Sequence, residues 1–166
     1  MDSKQHYHIA QLNIGRIVAP LNDPIMADFA NNLNQINQLG ANTPGFVWQL
    51  LSDEGDSTAF RILNDDSLFV NFTVWETIDA LFDFAYKSQH VEFFRRRREW
   101  FTKMEDLPVL TLWWIPANHT PTLEEAQEKL LYHREHGPTP LAFTFKERFT
   151  PDEMLEALQH SSSAGD

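Results

Sequence analysis

The stretch Leu68 to Trp100, LFVNFTVWETIDALFDFAYKSQHVEFFRRRREW, changes its hydrophobic period once, near Trp75. That change restricts the possible folds more than any other feature of the chain. Up to Trp75 the residues alternate with period two, the signature of a strand. Leu68, Val70, Phe72 and Val74 form one wholly apolar face. Phe69, Asn71, Thr73 and Trp75 form the other, where aromatic rings alternate with neutral hydrogen-bonding groups. After Thr77, a suitable N-cap, Ile78, Leu81, Phe82 and Ala85 recur at helical spacing. The apolar strand face is expected to pack under this helix. The second face is apolar enough to be covered, yet its amide and hydroxyl groups need partners, and it is the candidate site.

The rest of the chain supplies partners for this unit. His6 to Ile14 reads as a strand that divides in the same way, with His8, Ala10, Leu12 and Ile14 opposite Tyr7, Ile9, Gln11 and Asn13. Asp23-Pro24 opens a helix whose stripe is Met26, Phe29, Ala30, Leu33 and Ile36, with Gly40 as terminator and the Asn/Gln residues Asn31, Asn32, Asn34, Gln35 and Gln38 on a solvated face. Short strands are expected at Phe46 to Leu51 and around Thr58 to Leu63. A helix is expected from Gln89 to Phe101, and a strand from Val109 to Ile115. Thr122-Leu123-Glu124-Glu125 is a capping box opening a helix through His136, LAFTF reads as a late strand, and Thr150-Pro151 opens a last helix.

The order β-α-β-β-α-β is the ferredoxin-like pattern, here followed by an α-β-α extension, which makes the fold class α+β with an antiparallel sheet. Residues 1–160 are expected to form a single domain and 161–166 a disordered tail. Both helices of such a unit cover one sheet face. The other would expose Phe69, Trp75 and Trp113, so a homodimer whose sheets close over one another is expected. Hydrophobic content of 42% with 13 Phe and 5 Trp fits a folded, aromatic-rich protein. A net charge of −11 argues against nucleic acid as a partner. No run is long enough to cross a bilayer, no signal peptide precedes the first strand, and the absence of cysteine excludes disulfides and thiolate sites, so a cytoplasmic location is expected. Phosphate-loop, nucleophile-elbow and zinc-protease motifs are all missing from the sequence.

The segments HIAQLNIGR, VNFTVWETIDALFDF, SQHVEFFRRRREWF, LWWIPANHTPTLEEA and GPTPLAFTF cover most of residues 6 to 146. Through them the chain resembles a bacterial family of unassigned function within the dimeric α/β-barrel superfamily, whose members are antibiotic-biosynthesis-monooxygenase-like. The segments are specific to the family without being catalytic signatures. The superfamily holds cofactor-independent quinone-forming monooxygenases, haem-degrading enzymes, haem-dependent dehydratases and lactone isomerases, so membership narrows the chemistry little. Its oxygenases use a similar Asn and Trp on an inward-facing strand, and the resemblance thereby implies a role for Asn71 and Trp75.

Each candidate also has a plainer role. Asn71 and Trp75 hold and stack on a substrate, or bridge strands and seal a dimer. His90, at a junction between helices, moves a proton or ligates haem, or else fixes the joint. Tyr86 is a proton donor or a rim residue. His6 and His8 share a strand face, but no third ligand has a recognisable spacing, so no metal site is expected. Arg95 to Arg98 diverge around a helix and are expected to form ion pairs, with Arg97 packed between Phe93 and Trp100. The expected function is an enzyme acting on an apolar, aromatic or polyketide-like small molecule in the barrel pocket, as a monooxygenase, isomerase or cyclase without a cofactor. Asn71, Trp75, His90 and Tyr86 would be catalytic, and Tyr7, Gln11, Asn13, Phe69, Thr73 and Trp113 would line the ligand. The alternatives are a non-catalytic ligand-binding or dimerisation module, and a haem-binding protein using His90.

Overall fold

The computed structural model describes residues 6–51, 60–88, 90–104 and 108–164, with the side chains of residues 90, 93, 94 and 161–164 outside that description. The elements in chain order are β1 (Tyr7–Ile17), a 3-10 turn (Pro24–Met26), α1 (Ala27–Ala41), β2 (Phe46–Gln49), β3 (Leu68–Trp75), α2 (Ile78–Lys87), α3 (His90–Arg95), α4 (Arg97–Trp100), β4 (Phe101–Thr102), β5 (Leu110–Pro116), α5 (Leu123–His136) and α6 (Pro151–Ala164). The sheet runs β2-β3-β1-β5 with every pairing antiparallel, the ferredoxin-like order, and β4 adds a short pairing at the end of β1.

Register fixes both faces. Asn71 pairs with Asn13, Thr73 with Gln11 and Trp75 with Ile9, so the neutral polar residues of the two central strands stand side by side. The apolar residues Val70, Phe72 and Val74 share the opposite face with Ala10, Leu12 and Ile14. That face lies under Ala126 and Leu130 of α5, not under α2 as expected. Helix α2 instead packs Ile78, Leu81 and Phe84 on the Trp75 side. The structure is therefore three layers, α1 and α2, then the sheet, then α5. Alternation assigns residues to faces but does not say which helix covers which.

This arrangement removes the open aromatic face from which a homodimer was expected. Trp75 and Trp113 are each 1% exposed within one chain. Trp113 stands opposite Ala10 and belongs to the α5 face, not with Phe69 and Trp75. Its indole donates to Glu125 Oε2 at 3.0 Å, and Glu125 Oε1 meets His119 Nε2 at 2.7 Å. Thr122 caps α5 as expected, but the Glu125 carboxylate is turned to these partners.

Several boundaries move for identifiable reasons. Asp23 and Thr77 cap their helices through side-chain oxygens, as the sequence suggests. Gly40 does not end α1; it is buried where a Cβ would stand 3.3 Å from the Phe84 ring. The helix expected from residue 89 to Phe101 breaks at Arg96 and becomes extended at Phe101. Trp100 and Phe101 are adjacent, and both pack against Phe29, which a continuous helix could not arrange. Arg96 is seated on Trp100, 4.6 Å from the ring, and pairs with Asp28 and Glu99, while the packing expected of Arg97 against Phe93 involves a side chain outside the described residues. LAFTF is reduced to two isolated bridges, Phe143 with Leu112 and Ala142 with Thr139. Part of the strand expected around Thr58 to Leu63 lies outside the described residues, and Ile62 makes only one isolated bridge, to Asp65. Helix α6 runs to Ala164, into the stretch expected to be a disordered tail.

His133 of α5 is 2% exposed and shares a hydrogen bond with Thr111 through Nδ1 at 3.0 Å. Burial pushes its imidazole below the ordinary histidine range. Its contribution to stability is therefore complete above about pH 6.5, where the unfolded chain also leaves it neutral, and is lost as pH falls and the unfolded chain takes up the proton first. Urea midpoints measured from pH 7.5 to 5 are expected to fall more steeply for the native chain than for His133→Gln. Equal slopes would show that His133 does not titrate differently in the two states.

Candidate functional site

The polar sheet face does not meet its covering helices tightly. Phe29, Leu33 and Ile36 of α1 are only half-buried, and two cavities of about 90 and 80 Å³ lie beneath them. The larger has its floor on Gln11, Asn13, Asn71, Thr73 and Trp75 and is walled by α1, α2, Phe46 and Phe145. The smaller lies between Phe29, Leu33 and Phe69. Ile36, Asn37 and Asn71 line both. None of the described residues around either cavity is Asp, Glu, Lys, Arg or His.

Within the floor, Thr73 Oγ1 accepts from Gln11 Nε2 and from Trp75 Nε1, each at 2.9 Å. The Trp75 ring is stacked on Phe84 at 5.2 Å and meets Phe46 edge-on at 5.4 Å. The indole is thus a fixed wall whose N–H is already engaged, rather than a free donor to substrate. Gln49 of β2 donates to Asn37 Oδ1 at 3.1 Å. Asn71 is half-buried and Asn13 exposed, and the carboxamides of both make no hydrogen bond among the described residues.

Of the residues nominated from sequence, Asn71, Thr73, Trp75, Gln11, Asn13 and Tyr86 meet at the larger cavity, and Phe69 lines the smaller. Tyr86 is 39% exposed at the rim, with its ring against Phe82 and Phe145. Trp113 lies on the other side of the sheet, and Tyr7, paired with Pro116 at the sheet's end, reaches neither cavity. His90 opens α3, and its side chain lies outside the described residues. The larger cavity lies between the sheet and the chain's own helices α1 and α2.

Asn37, Gln49, Phe46 and Phe145 were missed. Asn37 was legible, since it stands four residues after Leu33 and three before Gly40, on the inward stripe of α1. Phe145 ends LAFTF, the segment expected to be a strand, and lies where the chain is irregular.

Comparison with solved structures finds SnoaB, a cofactor-independent oxygenase from Streptomyces nogalater, at 18% identity and a TM-score of 0.45 over 68% of this chain and 95% of that one. A conserved protein from Methanosarcina mazei matches at 13% identity and 0.46, over 66% and 91%. A Nitrosomonas europaea protein described as an antibiotic biosynthesis monooxygenase matches at 10% and 0.44, over 74% and 100%. Likenesses of this extent say nothing of substrate or chemistry. Comparison with curated proteins returns no match. The family model described as a domain of unknown function, DUF3291, matches residues 8–159, and the chain therefore belongs to that family.

Proposed function

We propose that the chain is a small-molecule enzyme holding an uncharged, ring-bearing compound between the sheet and helices α1 and α2, with a carbonyl or hydroxyl oxygen on Asn71. The carrying observation is the Asn71 carboxamide, half-buried, open to both cavities and without a protein partner among the described residues. A ligand that fills the cavity takes this carboxamide out of water, and a ligand oxygen or N–H then satisfies it. The rings of Trp75, Phe84 and Phe145 suit a flat partner. Both cavities are well below the roughly 300–1,000 Å³ of drug-sized sites, which favours one or two rings over a polyketide-like skeleton.

The reaction that fits an uncharged site is monooxygenation without a cofactor, as the family resemblance implies. A phenolic ring and O2 give a quinone and water; one oxygen atom becomes the new carbonyl, the other leaves as water, and the ring supplies the electrons. Asn71 and Thr73 would hold the reacting oxygen, and Tyr86 at the rim would relay the proton. Pairing of two copies rests on the family resemblance alone, since one chain covers its own aromatic faces. A second reading, a ligand-binding module without catalysis, is favoured by the lack of charged acid or base groups in the described lining.

Oxygen-electrode and absorbance assays with α-naphthol and a hydroxyquinolone test both. The expected result is one O2 consumed per quinone formed, lost in Asn71→Ala. Binding without oxygen uptake would establish the second reading, and absence of binding would remove both.

A further inference from the structure

We infer that the ligand meets this floor through an amide-type edge, an N–H beside a C=O in a flat uncharged ring such as a lactam, pyridone or pyrimidinone. This rests on the cavity being the small-molecule site proposed above. The pairing of β2, β3 and β1 sets two polar rows across the sheet. Gln49, Thr73 and Gln11 form one, and Asn71 and Asn13 form the next, two residues or roughly 7 Å further along the strands.

The bonds already made within these rows determine what is left for a ligand. Thr73 accepts twice through Oγ1, so its own O–H is the capacity that remains. Gln11 gives its amino group to Thr73, and Gln49 gives its own to Asn37, which leaves both of their carbonyls uncommitted among the described residues. Asn71 and Asn13 keep donor and acceptor alike. Donors and acceptors therefore stand next to one another on a surface with no charge.

A ketone satisfies only the donors, and a phenol offers one oxygen for both tasks. An amide edge presents N–H and C=O at the spacing of a carboxamide's own oxygen and nitrogen, so a single Asn or Gln bonds it bidentately, as these side chains do with adenine. Carboxylates and phosphates would lose their hydration with no cation among the described lining to replace it. The net charge of −11 opposes them as well. A site that bonds both atoms of such an edge discriminates against analogues lacking one, because floor groups that the bound ligand takes out of water are then left unpaired.

Calorimetric titrations with α-pyridone, N-methyl-α-pyridone and phenol test this. The expected result is that α-pyridone binds at least about tenfold more tightly than the other two, and that Asn71→Ala or Asn13→Ala, each checked for native circular dichroism, narrows the gap. Phenol binding as tightly as α-pyridone overturns the amide edge and leaves the small-molecule reading standing. Equal affinity of the N-methyl compound, or a gap unchanged in both variants, also overturns it. If none of the three binds, the cavity is not a ligand site, and both inferences fall.

Discussion

Replacing Phe72 with alanine is expected to lower the free energy of unfolding by about 3–5 kcal/mol. The ring is 1% exposed and sits in the middle of the α5-side core. It meets Trp48 edge-on at 5.3 Å and Trp113 at 5.7 Å. Both neighbours are large, rigid and held from elsewhere: Trp48 lies within β2, paired with Val74, and Trp113 is fixed by its hydrogen bond to Glu125. They cannot collapse into the space that the truncation leaves, so the loss should lie toward the upper end of the range. Chemical denaturation measures it directly. A loss under about 1 kcal/mol would mean that the α5 layer packs loosely and that the three-layer description is wrong. The substitution leaves the cavity floor in place, because residue 72 points away from Asn71 and Thr73.

The parity of β1 and β3 was legible because alternation over eight residues leaves a strand little freedom. Reading Asn71, Thr73 and Gln11 as one face required nothing beyond the sequence. The helix starts at Asp23, Thr77 and Thr122 were legible for an equally local reason, the capping oxygen. What covers each face was not legible. Both sheet faces carry enough apolar surface to be cores, and LEEAQEKLLYHREH looks too polar to cover one. Its buried contacts come from Ala126, Leu130 and His133, three residues on one narrow stripe. The position of Trp113 failed on parity. Trp113 and Trp114 are consecutive and equally apolar, and only the pairing of Ala10 with Trp113 and Ile9 with Trp114 decides between them. The end of the helix at Trp100, with Phe101 extended, follows from Trp100 and Phe101 both reaching Phe29, a tertiary demand that no helical propensity records. Gly15 takes part in the same contact, since a Cβ there would stand 2.7 Å from the Phe101 ring.

That functional residues gather on the α1 and α2 side of the sheet is the central claim, and Asn71 is its most direct probe. Asn71→Ala removes a carboxamide with no hydrogen bond to the described protein, so the urea midpoint should stay within experimental error of the native value. Calorimetric titration of this variant with α-pyridone should show affinity at least about tenfold weaker, the loss of a group that bonds ligand alone. Thr111→Val, on the opposite face beneath α5, should leave that affinity unchanged. Unaltered binding in Asn71→Ala, or a comparable loss in Thr111→Val, would contradict the placement of the site.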